Sequence, residues 1–224
     1  DPLQIQLDKG IHEIVGYTDE DDEHHKVVNV TCSYITFVGK GKDHTTIRGE
    51  FEVENQQNVK FEEMTLTSDG FSFYLRGSET TVDVLKCAVK ECRSTGMGVY
   101  NGATVTATQC EFMENGESGV FCTGPNTKVR LNDCTMHHNG GHGLNAFGGT
   151  VVDLHGTKTD IHSNKGDGIL ADYSGKVNIH LPSQHNTSHD NDWQDRHQHG
   201  GGSIANMNAD GTFTHVVEDD DDDN

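Results

Sequence analysis

Apolar and polar residues alternate along short stretches of this chain, and the alternating stretches return at regular intervals. Around residue 105 the apolar side chains stand at Val105, Ala107, Cys110, Phe112 and Val120, with polar residues between them. A period of two predicts β-strands with one buried face. Three such strands fall within about 23 residues and are separated by Asn-Gly corners, where the chain is expected to bend.

The alternating pattern belongs to a repeat that covers four consecutive segments. The first aligned column contains Val82, Val105, Val129 and Leu154, at steps of 23, 24 and 25 residues. Further columns follow without gaps: Cys87, Cys110, Cys134 and Thr159; Val89, Phe112, Met136 and Ile161; Cys92, Asn115, Asn139 and Asn164; Gly96, Gly119, Gly143 and Gly168. Such short strands can pair in parallel with the equivalent strands of the next repeat, about 4.8 Å away. The repeat therefore predicts a parallel β-solenoid.

Two of these columns predict what fills the interior. The asparagines at 115, 139 and 164 are expected to form a ladder of side-chain amides, which would satisfy backbone groups at buried turns. The cysteines at 87, 110 and 134 are expected to face the core and to pack as small apolar side chains, although a disulfide between coils is left open.

The Gly-rich corners, the tandem coils and the opening segment LQIQLDKGIHEI resemble the right-handed parallel β-helix, or pectin-lyase-like, superfamily. The resemblance spans roughly residues 3 to 181. It implies an all-β fold, a right-handed single-stranded parallel β-helix of about nine coils with N- and C-terminal caps. Because members of this superfamily include lyases, hydrolases, epimerases, phage adhesins and binding modules, the resemblance is specific for fold rather than for function.

The pattern divides the chain into four parts. Residues 1–26 are predicted to form an N-terminal cap with an acidic loop, 27–182 the β-helix coils, 183–217 a C-terminal capping loop, and 218–224 an acidic tail. A cap is expected at each end because an open sheet edge recruits other chains. We expect Trp193, the only tryptophan, to plug the core at the C-terminal end.

Charge and composition narrow the set of partners. The 224 residues include 36 acidic and 16 basic side chains, a formal net charge of −20, which argues against nucleic acid because phosphate binding needs clustered Lys and Arg. The sequence contains no run of 18 apolar residues, so we expect no membrane insertion. The start at Asp1 and the sequons at Asn29 and Asn186 slightly favour a secreted or processed protein. The compartment and the oligomeric state are left open.

Four residues are weak candidates for catalysis. Lys86, Arg130 and His155 fall in outward columns, where a lyase or epimerase would need a base and a group that neutralises a sugar carboxylate. No cofactor is predicted otherwise, but calcium would be needed if an acidic lyase were to bind a polyuronate. His142 lies in a Gly-His-Gly triplet that resembles the motif of polygalacturonase-like hydrolases, whose paired aspartates and Arg-x-Lys have no counterparts at matching positions here.

His142 also shares a corner column with Ser118 and Asp167. These three residue types form a catalytic triad in some enzymes, but stacked side chains point the same way, whereas a triad needs converging hydrogen bonds. We therefore expect an exposed polar corner.

Histidines are crowded near the C-terminus. His185, His189, His197 and His199 accompany several aspartates and are weak candidates for zinc or copper ligands, since imidazole and carboxylate suit these ions. The alternative is a hydrophilic cap with incidental histidines, because no standard ligand spacing occurs.

The sequence thus predicts a non-catalytic recognition or structural module that binds a glycan or a protein along a sheet face. The alternative is a carbohydrate-active enzyme, namely a polysaccharide lyase, hydrolase or epimerase, with a groove around Lys86, Arg130 and His155. A binding module is expected to present a flat or aromatic-lined face. An enzyme is expected to hold a base and an acid within about 3 Å of one substrate atom.

Overall fold

The computed structural model describes residues 3–18, 24–180 and 187–216. All regular secondary structure in these ranges is β-strand. The predicted acidic tail 218–224, the acidic run 19–23 and the candidate ligand His185 lie outside the described residues.

Short strands follow one another along the chain. They are β1 (Leu3–Gln6), β2 (Gly10–Glu13), β3 (Tyr17–Thr18), β4 (His24–His25), β5 (Val27–Val30), β6 (Ile35–Val38), β7 (Thr45–Arg48), β8 (Glu50–Glu54), β9 (Val59–Glu62), β10 (Thr65–Thr67), β11 (Phe73–Arg76), β12 (Thr81–Leu85), β13 (Ala88–Lys90) and β14 (Met97–Tyr100). They continue as β15 (Thr104–Thr108), β16 (Glu111–Met113), β17 (Val120–Thr123), β18 (Lys128–Asn132), β19 (Thr135–His137), β20 (Leu144–Phe147), β21 (Val151–His155), β22 (Asp160–His162), β23 (Ile169–Asp172), β24 (Lys176–His180), β25 (Ser188–His189), β26 (Arg196–Gln198), β27 (Ser203–Met207) and β28 (Phe213–Val216).

Three sheets run along the molecule. The first sheet has the order β1-β6-β9-β12-β15-β18-β21-β24-β27-β28, the second β2-β7-β10-β13-β16-β19-β22-β25, and the third β5-β8-β11-β14-β17-β20-β23-β26. Through the coils each sheet takes every third strand in parallel, so the chain passes through all three sheets in each turn of a right-handed β-solenoid. Within the described residues, the second sheet and the third sheet contain eight strands each, which corresponds to about seven turns. This number is slightly smaller than the nine coils expected.

The strand register confirms the predicted columns of the second and third sheets. Val89, Phe112, Met136 and Ile161 pair in one continuous row, and all four are buried. The repeat therefore arises because each inward side chain packs on its equivalents one coil above and below.

The first sheet departs from the predicted alignment at its fourth repeat. Val129 pairs with Val152 and not with Leu154, which is the partner of Leu131. The two extra residues lie in the turn around Gly156, and the register of the second sheet is regular again. As a consequence, Asp153 rather than His155 is the neighbour of Arg130.

The predicted cysteine column lies inside the solenoid. Cys87, Cys110 and Cys134 are buried and none forms a disulfide. The thiols of Cys110 and Cys134 donate to the carbonyl oxygens of Val84 and Ala107, both at 3.4 Å. Burial raises the pKa of the Cys87 thiol. These cysteines therefore pack as small core residues.

The predicted asparagine ladder is present and is one step longer than expected. The Nδ2 of Asn115 donates to Oδ1 of Asn139, that of Asn139 to Asn164, and that of Asn164 to Asn191. Each of these distances is 2.9 Å. Each Oδ1 also accepts a backbone N–H from the preceding coil, for example that of Cys92 at 3.2 Å. The ladder thus satisfies the backbone at one corner of every coil that it crosses.

The coils extend into both segments that we expected to be caps. At the C-terminal end β25, β26 and β27 pair in parallel with β22, β23 and β24, and β28 then pairs antiparallel with β27. At the other end β1 and β2 pair in parallel with β6 and β7. The last coil lacks the apolar pattern of the other coils, because three of its buried residues are polar: Thr187, Ser188 and Gln198. Trp193 does not plug the core, since it is 69% exposed.

Within the described ranges, the structure has no helix of the length and apolarity that crossing a membrane would require.

Candidate functional site

The outward face of the third sheet carries a row of aromatic rings. Tyr74 of β11, Tyr100 of β14 and Phe121 of β17 follow one another, with centroid distances of 4.8 Å and 5.9 Å. Phe71, in the turn before β11, adds an edge-on contact to Tyr74 at 5.7 Å. Four rings on neighbouring coils therefore form one aromatic surface.

Gly98 makes this row continuous. It stands between Tyr74 and Phe121 in the strand register, at the position where an outward side chain would project. A Cβ atom at Gly98 would lie 2.6 Å from Cε2 of Tyr100. The ring of Tyr100 thus occupies the space that the glycine leaves over the backbone. Burial raises the pKa of the Tyr100 hydroxyl, which stays neutral and can donate a hydrogen bond.

Beside the aromatic row lies an open groove of about 490 Å³. Its lining combines rings with polar corner residues: Phe71, Thr95, Tyr100, Gly116, Glu117, Ser118, Phe121, Gly140, Gly141, His142 and Asn145. The carboxylate of Glu117 is held in place by the hydroxyl groups of Ser94 and Thr95, at 2.8 Å and 3.3 Å. The groove thus pairs an apolar wall with a few positioned hydrogen-bonding groups.

The polar corner that contains His142 is buried, contrary to our expectation. Ser118 is 6% exposed and Asp167 is 1% exposed. The carboxylate of Asp167 accepts the backbone N–H of Gln194 at 3.1 Å, and Nδ1 of His142 and Nδ1 of His197 each lie 3.1 Å from its Oδ2. Burial favours the neutral form of Asp167, but the contacts of its carboxylate with the two histidines outweigh it and lower the pKa of this carboxyl.

The backbone N–H of Asp167 donates to Nδ1 of His142 at 3.0 Å, and this hydrogen bond fixes the orientation of the ring. The edge of that ring also packs against Trp193, with centroids 5.8 Å apart. Among the described residues, no hydrogen bond joins Ser118 to His142, so the column does not form a Ser-His-Asp triad.

Of the four candidate catalytic residues, only His142 lines the groove. Lys86 is exposed at a turn, where its Nζ lies 3.4 Å from Oε1 of Glu63. Arg130 is on β18 and His155 on β21, both in the first sheet. Thus the structure does not bring the four candidates together.

The candidate metal ligands near the C-terminus do not converge either. His189 contacts Asp160 and Asp190, at 3.0 Å and 2.9 Å, while Nδ1 of His199 lies 3.0 Å from Asp172. His197 contacts Asp167, as described above. Each described histidine of this group is thus paired with a different carboxylate.

The aromatic row is not among the features predicted from the sequence. Tyr74, Gly98 and Phe121 occupy one column of the repeat, so the signal was present in the spacing. The contribution of Tyr100 had no such signal, because its strand position is next to Arg76 and only its ring reaches the row.

Residues 49–215 match the family model described as "right handed beta helix region", and the chain belongs to this family. The solved A-module of the mannuronan C-5 epimerase AlgE4 from Azotobacter vinelandii is similar in fold, with 13% identity and a TM-score of 0.53 over 95% of this chain and 76% of that one. The AlgE6 A-module from the same organism gives 12% identity and a TM-score of 0.57 over 92% and 71%. No curated protein matches the sequence.

Proposed function

We propose that this chain is a glycan-binding β-helix and that it binds a neutral sugar chain in the groove beside Tyr100 and Phe121. The observation that carries the proposal is the aromatic row with its polar border. The face of an aromatic ring is electron-rich and attracts the polarised C–H groups of a sugar ring. Binding sites of this kind combine apolar walls with a few placed polar groups.

The charge of the groove supports a neutral ligand over a uronate. The described lining residues include Glu117 and contain neither Lys nor Arg. A sugar carboxylate would therefore face a like charge nearby, within a chain whose formal net charge is −20.

The comparisons support carbohydrate as the ligand class. Both similar structures carry names that describe an activity on mannuronan. For our chain we propose only that the ligand is a carbohydrate, and not the epimerase activity, because the similarity to these structures is one of fold.

A second candidate function is acid–base catalysis on a glycan in the same groove. The pair of His142 and Asp167 favours it, since the backbone N–H of Asp167 donates to Nδ1 of His142 at 3.0 Å, which orients the imidazole and leaves Nε2 for a substrate. Glu117 lines the same groove and supplies a carboxylate as a partner.

Isothermal titration calorimetry with a panel of neutral and uronate oligosaccharides tests the binding proposal. We expect a neutral oligosaccharide to bind, and Tyr100→Ala and Phe121→Ala to weaken its binding by about tenfold. Tyr173→Ala is the control, because Tyr173 is another aromatic residue at the surface, 59% exposed, but lies outside the groove. Absence of binding across the panel, or an equal loss in the control, would contradict the proposal.

Product analysis on the bound oligosaccharide separates the two candidates. A pure binding module leaves the sugar unchanged. Turnover that disappears in His142→Gln while calorimetry still detects binding would establish the catalytic alternative.

A further inference from the structure

A second group of chemically active side chains lies on the outward face of the first sheet, near its C-terminal end. Asp153 and His155 are on β21, and His180 is on β24 in the next coil. One ligand atom from each of the three residues lies within 4.8 Å of the others. This is the one group of three such side chains found in the described part of the chain.

The strand register explains why the three residues meet. Asp153 pairs with Asn178, and residues two apart on a strand point to the same face. The sequence Asp153-Leu154-His155 therefore stands beside Asn178-Ile179-His180, with both leucine and isoleucine buried in the core. The imidazoles of His155 and His180 stack, with centroids 3.9 Å apart and planes 13° from parallel.

The hydrogen bonds of this group are incomplete. Nε2 of His180 donates to Oδ1 of Asp153 at 2.9 Å, and Nδ2 of Asn178 donates to the same oxygen at 3.0 Å. Nε2 of His155, however, is covered by protein and has no hydrogen-bond partner. A covered polar atom without a partner is destabilising, because it has lost its hydrogen bonds to water. An ion bound among these groups would give this nitrogen a partner.

The protonation states also suit a cation. Burial favours the neutral form of Asp153, but the hydrogen bonds from His180 and Asn178 outweigh it and lower the pKa of the carboxyl, which stays ionised. Burial, together with His180 and Arg130, lowers the pKa of His155, and neutral imidazole is the form that binds metals. Arg130, on the adjacent β18, opposes the approach of a cation, whereas the negative charge of Asp153 favours it.

We propose that Asp153, His155 and His180 form a binding site for a divalent transition-metal ion, with zinc as the best fit. Two imidazole nitrogens and one carboxylate oxygen are a donor set that zinc accepts, with further positions left for water. Calcium and magnesium prefer oxygen ligands alone. Binding displaces the hydrogen bond between His180 and Asp153, and the stacked His180 ring must rotate so that its nitrogen faces the ion.

Zinc titration of the full chain, after removal of metals with a chelator, tests the site. Calorimetry is expected to show one saturable zinc site per chain, and cobalt bound in place of zinc is expected to give the visible absorption of a nitrogen- and oxygen-ligated ion. Zinc is also expected to raise the thermal midpoint, because it binds the folded chain across two coils.

Three variants remove one ligand each: His155→Ala, His180→Ala and the isosteric Asp153→Asn. Each is expected to lose the saturable site and the rise in thermal midpoint. Asn178→Ala removes a hydrogen bond to the ligand oxygen and is expected to weaken zinc binding by about 10–100-fold. Circular dichroism verifies that each variant is folded.

His137→Ala and His162→Ala are the matched controls, because these residues are also stacked imidazoles on neighbouring coils, 5.0 Å apart on the second sheet. Both control variants are expected to bind zinc like the original chain. The proposal is overturned if no saturable site exists, if zinc binding survives in the three ligand variants, or if it is lost equally in the controls.

Discussion

The inner and the outer faces of the same strands differ in how strictly they repeat. Along the inner face of the first sheet, Val105, Val129 and Val152 follow one another in adjacent coils, all fully or almost fully buried. Along its outer face, Thr106 is followed by Arg130 and then by Asp153. Inward side chains must fit the coils above and below, whereas outward side chains meet solvent, so the outer face is free to vary.

Variation on the outer face produces a different chemistry on each sheet. The third sheet carries the aromatic row of Tyr74, Tyr100 and Phe121. The first sheet carries the group of Asp153, His155 and His180. A solenoid of this kind can therefore hold two unrelated sites on one core, and substitutions on its inner and outer faces should differ widely in their effect on stability.

The largest effect is expected from the polar part of the inner face. Asn139→Ala removes an internal amide of the ladder and takes a hydrogen-bond partner from the side chains of Asn115 and Asn164 and from the backbone groups of Asn115 and Phe112. Each unsatisfied group costs about 1–3 kcal/mol, so we expect the free energy of unfolding to fall by at least about 3 kcal/mol. Urea denaturation measures this change.

Asn132→Ala is the outer-face control for this experiment. Asn132 is only partly buried, and its amide donates to the hydroxyl of Thr108 at 3.1 Å. We expect it to cost less than about 1 kcal/mol. Equal losses in the two variants would show that the ladder has no special role.

An intermediate effect, which depends on pH, is expected at the buried corner. In Asp167→Asn the charge-assisted hydrogen bond from His197 and the contact of the carboxylate with His142 are lost, which should cost about 2 kcal/mol at pH 7. Because the folded-state pKa of Asp167 is lowered, its contribution is complete above the unfolded-state value of about 4 and is lost as the pH falls through the folded-state pKa.

Unfolding free energies measured at several pH values below 5 test this dependence. The difference between the original chain and Asp167→Asn should narrow as the pH falls. A difference that is constant with pH would mean that the carboxylate charge does not contribute.

The smallest effect is expected at an exposed ion pair on the outer surface. Lys86→Ala breaks the contact with Glu63, in which both side chains are about half exposed. Such pairs contribute about 0–1 kcal/mol, so the stability should hardly change. If any turnover of a glycan is found, it should persist in this variant, since Lys86 lies outside the groove. Loss of turnover would return Lys86 to the catalytic candidates.

Much of the fold could be predicted because inward columns repeat. The alignment of Val89, Phe112, Met136 and Ile161 was correct in every coil, as was the ladder from Asn115 to Asn164. The fourth repeat was misaligned on the first sheet because Val152 and Leu154 are both apolar and inward-facing, so the sequence alone did not distinguish them. Because of that offset of two residues, the sequence alignment did not place Asp153 beside Arg130.

The candidate sites were harder to predict because outward residues follow no repeat. The sequence shows the Gly-His-Gly setting of His142, but the burial of its partner Asp167 depends on the last coil, where Gln194 and His197 contact it. That coil has polar residues at inward positions and so does not show the apolar pattern from which the other coils were recognised.

By itself the sequence determined the solenoid, the inward columns and the asparagine corners, because close packing between equivalent coils demands similar residues at a constant spacing. Only the tertiary structure decided which outward side chains meet. The ring of Tyr100 reaches the aromatic row through space left by Gly98, and His155 stacks on His180 because Leu154 pairs with Ile179 in the adjacent strand. Such contacts depend on side-chain direction and strand register, which the spacing of residues along a chain does not specify.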